Sequence, residues 1–252
     1  MPANGTVNKE EITHFAKDSA HWWDESGPFK PLHRLNPTRL SFIREKICAH
    51  FKIDSDNLKP FEGLKILDIG CGGGIVCEPM ARMGGNVTGI DADENAINVA
   101  TEHAELSDLD ITYKASSTEE QTKMIKQYDV VLALEILEHV DNVGDFVQQC
   151  VDLCKSGGII IFSTLNRTAK SYALGIVAAE HILHWVPKGT HQWEKFLKPY
   201  ELATHIQTTK DARPYEMKGL IFNPLKNEFS LSDTDYDVNY FMTAIKPEKA
   251  KK

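Results

Sequence analysis

The feature that most constrains this chain is a glycine cluster behind a short apolar run: Leu64-Lys-Ile-Leu-Asp-Ile-Gly-Cys-Gly-Gly-Gly74, followed downstream by Gly89-Ile-Asp91. An apolar run reaches Asp68 and Ile69. Glycines follow at Gly70, Gly72, Gly73 and Gly74, then a helical pattern, a second apolar run and another acid. This order spells strand, tight turn, helix and second parallel strand. Glycines let the turn take positive φ and let a ligand press against bare backbone. Asp91 falls at the end of the second strand, where a carboxylate accepts both hydroxyls of a ribose. The expected ligand is a nucleoside cofactor.

The spacing bears on which one. A dinucleotide fingerprint reads G-x-G-x-x-G, entered through apolar or small residues. Here Asp68 stands two residues before Gly70, where a carboxylate would repel a pyrophosphate. It suits a cofactor with no phosphate and a cationic end. S-adenosylmethionine, with its ammonium and sulfonium, is such a molecule. A nicotinamide or flavin site and a purely structural turn remain alternatives, because the glycine grammar overlaps.

Downstream of residue 64 apolar strand patterns at 64–69, 86–90, 110–114, 128–134 and 158–163 alternate with helical patterns at 75–83, 93–105, 117–124 and 142–154. Such alternation predicts a doubly wound α/β sheet, with the ligand crevice beyond the carboxyl ends of the strands. Two further strands, near 213–223 and 236–246, flank a polar turn at 224–235 and predict an antiparallel strand near one edge. The total expected is seven. Ahead of the sheet, residues 10–26 read as an amphipathic helix with Ile12, Phe15, Trp22 and Trp23 on one face. Asn36-Pro37 reads as the start of a second helix. The segment 166–199 reads as an insertion whose stretch 172–186 is apolar and helical, and the charged end 247–252 as a disordered tail. One domain spanning 1–252, with a helical cap at 10–52, is the simplest organisation for this length.

A formal net charge of −8 argues against nucleic acid as a partner. Cys48, Cys71, Cys77, Cys150 and Cys154 lack paired-framework spacing, and a reducing compartment follows. No secretory signal and no bilayer-length apolar run are present, so a cytoplasmic protein is expected.

The Asp68-Ile-Gly-Cys-Gly-Gly-Gly motif, Glu135-Ile-Leu-Glu-His-Val140 and Lys155-Ser-Gly-Gly158 resemble the class I S-adenosylmethionine-dependent methyltransferases. Other segments narrow the resemblance. Trp22-Trp-Asp24, Phe29-Lys-Pro-Leu-His-Arg-Leu-Asn-Pro-Thr-Arg39, Ser163-Thr-Leu-Asn-Arg167 and Pro187-Lys-Gly-Thr-His-Gln-Trp193 are similar to the ubiquinone biosynthesis O-methyltransferase family. It covers roughly residues 10–246. It implies methylation of polyprenylated catechol intermediates at both O-methylation steps, with membership of a biosynthetic complex in view. The same resemblance implies that Arg39 reaches over the cofactor to its carboxylate and that a divalent metal sits at Glu135, Glu138 and His139. One departure is the pair Ser116 and Ser117, where the family often places an acid on the adenine.

The chemistry can also be read from residue types. A phenol titrates near 10, so methyl transfer at neutral pH needs a base or a metal. If the turn after strand four is helical, Glu135, Glu138 and His139 share a face and could hold Mg²⁺ or another divalent cation that acidifies the catechol. The alternative is a general base, His139 or His191, with Glu138 beside it. Asp68, Gly70, Gly72, Asp91 and Leu134 complete the expected cofactor set. The apolar stretch 172–186 is either a core helix or an interfacial lid; with Trp185 and Lys188 the second reading puts the protein peripherally on the inner membrane face. Two other functions remain open: a different small-molecule methyltransferase of the same fold, and a cofactor-binding scaffold without turnover.

Overall fold

The computed structural model describes Thr6, Asn8, Ala16 and residues 18–124, 127–174 and 192–248. Its centre is one sheet built from β1 (Lys65–Ile69), β2 (Asn86–Asp91), β3 (Thr112–Ala115), β4 (Tyr128–Leu134), β5 (Cys154–Leu165), β6 (Arg213–Asn223), β7 (Glu228–Ser232) and β8 (Asn239–Ile245). The strand order is β3-β2-β1-β4-β5-β8-β6-β7. The first five strands pair in parallel, β8 runs antiparallel to β5, and β6 and β7 close that edge antiparallel. The order reverses between β1 and β4, the switch point where α/β sheets hold ligands.

Alternation along the strands divides the core between two faces. Ile66, Val130, Leu132, Ile161 and Phe241 pack under α1 (Lys30–Phe51) and α2 (Cys77–Arg82), against Phe42, Ile43 and Met80. Leu67, Val131, Ile160 and Met242 pack on the other face, against α5 (Val143–Leu153) and α6 (Pro199–Thr208). Helices α3 (Glu94–Leu106) and α4 (Thr118–Lys123) follow β2 and β3. Asp93 caps α3, its side chain accepting the Asn95 N–H at 3.0 Å.

Among the described residues the strand count is eight, not seven. The added strand, β7, lies within the stretch expected to be a turn. Phe229-Ser-Leu-Ser232 alternates with period two, and Phe229 and Leu231 lie against the α1 face. Helix α1 starts at Lys30, not at Asn36. Pro31 sits in its first turn and Pro37 lies inside it. Asn36 is therefore no cap; its amide donates to the Ile75 carbonyl at 2.9 Å. The helix expected through residue 26 is absent from its described end: one turn of 3₁₀ helix, Ser19–His21, gives way to turns that carry Trp22 and Trp23. Helix α6 was not anticipated. Its signals are ordinary ones: Pro199 in the first turn, a capping box to Glu201, and Leu202 and Ile206 four apart. All five cysteines are buried and free. Most of 172–186 and the tail from residue 249 lie outside the described residues. No described helix is long and apolar enough to cross a membrane.

Candidate active site

The turn after β1 is built as its glycines require. Gly70, Gly72 and Gly74 have φ of 71°, 51° and 85°. A Cβ added at Gly70 would lie 2.2 Å from Ile136 Cδ1, so only bare backbone lets the loop approach the end of β4. Asp91 is tied to this loop: its carboxylate accepts the Gly72 N–H and the Asp93 N–H, both at 2.9 Å. Burial pushes its pKa up, against the backbone donors that lower it.

Asp68 and Arg39 are close enough for their charges to interact. Asp68 lies on β1, accepts the Cys77 thiol at 3.2 Å and is pushed up to about 6 by burial. Arg39 projects from α1 and is 3% exposed. Its Nε and Nη2 donate to Asn36 Oδ1 at 3.1 and 2.8 Å. Burial lowers its pKa, while the charges of Glu135 and Asp68 oppose that shift. A buried guanidinium facing two carboxylates holds the charge that a zwitterionic amino-acid group would meet on entry. Leu134 closes β4 and packs in the core under α1. Ser116 and Ser117 are engaged locally: Ser117 caps α4, and the Ser116 hydroxyl donates to Glu120 at 2.9 Å.

On the other side of the switch point the donors are side chains. Glu135 follows β4 in a left-handed conformation, φ 53°. Its backbone N–H donates to the Ser163 carbonyl and hydroxyl at 3.0 and 3.1 Å. Its carboxylate accepts from Ser163 Oγ at 2.6 Å and from Asn239 Nδ2 at 2.8 Å. Burial and the neighbouring Glu138 push its pKa up. Glu138 is 4% exposed and accepts the Thr164 hydroxyl at 2.6 Å. His139 follows in the same short 3₁₀ turn, Leu137–His139, and is half-buried.

This geometry corrects the expected metal set. The i, i+3, i+4 argument needs an α-helical turn beginning at Glu135, and Glu135 is left-handed. Its two oxygens are taken by Ser163 and Asn239, while Glu138 turns to Thr164 on β5. Among the described residues, no group of three or more His, Cys, Asp or Glu side chains is placed to hold a metal ion. The residues present do not fit a three-donor site for Mg²⁺. His191 lies outside the described residues, as do His181, His184, Trp185 and Lys188.

Sequence reasoning missed Asn239 and the hydroxyls of Ser163 and Thr164 as members of this network. No local pattern marks Asn239, which reaches Glu135 only because β8 lies beside β5, with Leu165 opposite Asn239. It also placed Trp22 on a helix face, whereas the ring lies on the glycine loop.

A switch-point crevice with a bare glycine turn, a strand-end acid on the loop and a phosphate-averse Asp68 defines a class I S-adenosylmethionine-dependent methyltransferase. A family model described as a methyltransferase domain matches residues 39–209. The structure of magnesium protoporphyrin IX methyltransferase from Synechocystis, with bound S-adenosylhomocysteine, aligns with a TM-score of 0.63 at 16% identity, over 93% of this chain and 94% of that one. The ubiquinone biosynthesis O-methyltransferase of Brucella melitensis is 46% identical over 97% of this chain and 98% of its own length. That of Dinoroseobacter shibae is 47% identical over 96% and 97%. The chain belongs to the ubiquinone biosynthesis O-methyltransferase family.

Proposed function

We propose that the enzyme transfers methyl from S-adenosylmethionine to a hydroxyl of polyprenylated catechol intermediates, at both O-methylation steps of ubiquinone biosynthesis. One observation carries the reading: Arg39, Asp68 and Glu135 converge beside the bare glycine turn, at the carboxyl ends of β1 and β4. The names of the Brucella and Dinoroseobacter relatives support the substrate class.

In the proposed step, a phenolate oxygen attacks the sulfonium methyl in line. The carbon–sulfur bond breaks, its electron pair stays on sulfur, and S-adenosylhomocysteine leaves. Opposite charges neutralise as they meet, so an enclosed site favours the reaction, and alignment supplies much of the rate. The catechol proton goes to His139, which is half-buried in the turn after β4. Glu138, bonded to Thr164, holds that turn. Asp91 holds the ribose diol, Asp68 the ammonium and Arg39 the carboxylate. The whole chain works as one methyltransferase domain. The apolar stretch 172–186 admits the prenyl chain from the membrane surface, and association with other enzymes of the route follows from that location.

Transfer of labelled methyl to a short-prenyl catechol, with and without chelator, tests this. Turnover that survives chelation and falls with His139→Ala is expected. Absence of transfer to any prenylated catechol would refute the substrate class. Loss of turnover on chelation, restored by Mg²⁺, would remove His139 from the role of proton acceptor. Asp91→Ala should weaken S-adenosylmethionine by about 2–4 kcal/mol, the range for a charged, partly buried partner; unchanged affinity in calorimetry would sink that assignment.

A further inference from the structure

Asn36 and Pro37 are poor residues for the inside of a helix, yet both stand within α1. Asparagine is a weak helix former, because its short polar side chain competes with the backbone. Proline lacks an N–H, crowds the carbonyl four residues back, here that of His33, and disfavours helical backbone in the residue before it. Such breaches of local preference gather at functional positions.

Asn36 uses both ends of its amide. Its Nδ2 donates to the Ile75 carbonyl at 2.9 Å, one residue beyond the Gly70–Gly74 turn. Its Oδ1 accepts from Arg39 Nε at 3.1 Å and from Arg39 Nη2 at 2.8 Å. Residues three apart on a helix share a face, so the pair is built into α1 itself. The oxygen takes the side edge of the guanidinium, where Nε and Nη2 lie. The end edge, formed by Nη1 and Nη2, is left over, and Nη1 has no hydrogen-bond partner among the described residues.

The holder is neutral, and its neutrality has a consequence. Arg39 is buried, and buried donors need partners. Asp68 and Glu135 are near enough to act on its charge. Their carboxylates are bonded elsewhere, Asp68 to the Cys77 thiol and Glu135 to Ser163 and Asn239. A carboxylate in place of Asn36 would hold the guanidinium and also offset its charge. An amide holds it and leaves the charge for a ligand.

We propose that Asn36 is a positioning residue for Arg39. It clamps the side edge of the guanidinium, so that the end edge is presented to the cofactor, and through Ile75 it ties that aim to the glycine turn. The inference rests on the role given to Arg39 above, that of meeting the cofactor.

The test is a double-mutant cycle, read by calorimetry with S-adenosylhomocysteine on the wild type, Asn36→Ala, Arg39→Ala and the double variant. Asn36→Ala should weaken binding about tenfold, within the coupling range of residues in contact. In the Arg39→Ala background the same change should weaken it less than about twofold, because the group being positioned is gone. Equal losses in the two backgrounds, or no loss in either, would overturn the proposal and leave Asn36 a tether between α1 and the loop. Arg39→Ala binding as tightly as the wild type would overturn the role of Arg39 itself. Kinetics give a second readout: Asn36→Ala should raise KM for S-adenosylmethionine and leave kcat within about twofold. A fall in kcat with KM unchanged is what lost folded enzyme would give, and counts against the proposal. A measurement on the wild type guards against misfolding. The Arg39 Nε–H resonance, assigned by its absence in Arg39→Lys, should exchange slowly with solvent in the free enzyme and keep its position when S-adenosylhomocysteine binds. An Nε–H that exchanges freely, or that shifts with the ligand, would show that Asn36 does not hold that edge.

Discussion

The two halves of the site are made from different materials. Around β1 and β2 the contacts are backbone and single carboxylates. The Gly70–Gly74 turn, Asp68 and Asp91 lie within one strand–helix–strand unit. Around β4, β5 and β8 they are side chains bonded to side chains: Glu135 to Ser163 and Asn239, and Glu138 to Thr164. The first half tolerates little change of residue type but needs few partners. The second depends on partners far apart in the chain, Glu135 and Asn239 being 104 residues apart. The difference is that a backbone site can be specified by conformation alone, whereas a side-chain network also needs register. The first half should therefore govern cofactor affinity and the second should govern turnover.

The sharpest way to break that division is at His139. His139→Ala should lower kcat about 10²–10⁴-fold, the usual contribution of a general base. It should remove the acidic limb of the pH–rate profile, because a base must be unprotonated to accept the catechol proton. Cofactor affinity should stay within experimental error. A matching loss of S-adenosylmethionine binding in calorimetry would erase the distinction between the halves.

Asp68 gives the next largest effect, from the cofactor side. Its folded pKa of about 6 lies above the ordinary value of 3.8, so the fold holds the proton more tightly than the unfolded chain does. The sign follows: below pH 4 the group costs nothing, and stability is lost as pH rises from about 4 through 6 while the buried carboxyl ionises. At pH 7 the cost is about 3 kcal/mol. Asp68→Asn should therefore be more stable than the wild type in denaturant titrations at pH 7, with the gap closing towards pH 4. It should also bind S-adenosylmethionine more weakly, having lost the charge that meets the ammonium. A gap that does not vary with pH would show that Asp68 is not the ionising group.

Asn239→Ala is the smallest change expected and probes the network half. It removes one of two side-chain donors to Glu135 and leaves Ser163 in place. A bond to a charged group is worth about 1.5 kcal/mol at the lower end of its range. Thermal or denaturant unfolding should show that loss, with S-adenosylhomocysteine affinity unchanged. An effect on cofactor binding as large as that of Asp91→Ala would join the two halves into one network.

The geometry of the glycine-turn half was legible in the sequence because its requirements are local. Positive φ at Gly70 and a strand-end acid at Asp91 are demands on residue type, and residue type is what a sequence states. Strand β7 and helix α6 were equally local, in the alternation Phe229-Ser-Leu-Ser232 and the signals Pro199, Glu201, Leu202 and Ile206, and stood open to the same reasoning. The expected metal set does not assemble among the described residues for a different cause: helical spacing was assumed for Glu135, Glu138 and His139, and Glu135 is left-handed.

By itself, then, the sequence determined the parallel sheet, the glycine turn and the strand positions of Asp68 and Asp91, since periodicity and residue type encode each of them. Tertiary structure alone decided that Arg39 is buried near Asp68 and Glu135, that Trp22 lies on Gly72 and Gly73, and that Asn239 reaches Glu135. These are meetings between distant segments. They depend on where α1 crosses the sheet and on β8 entering beside β5, and the free energy that fixes those positions is spread over two packed core faces, not held in any short run of residues.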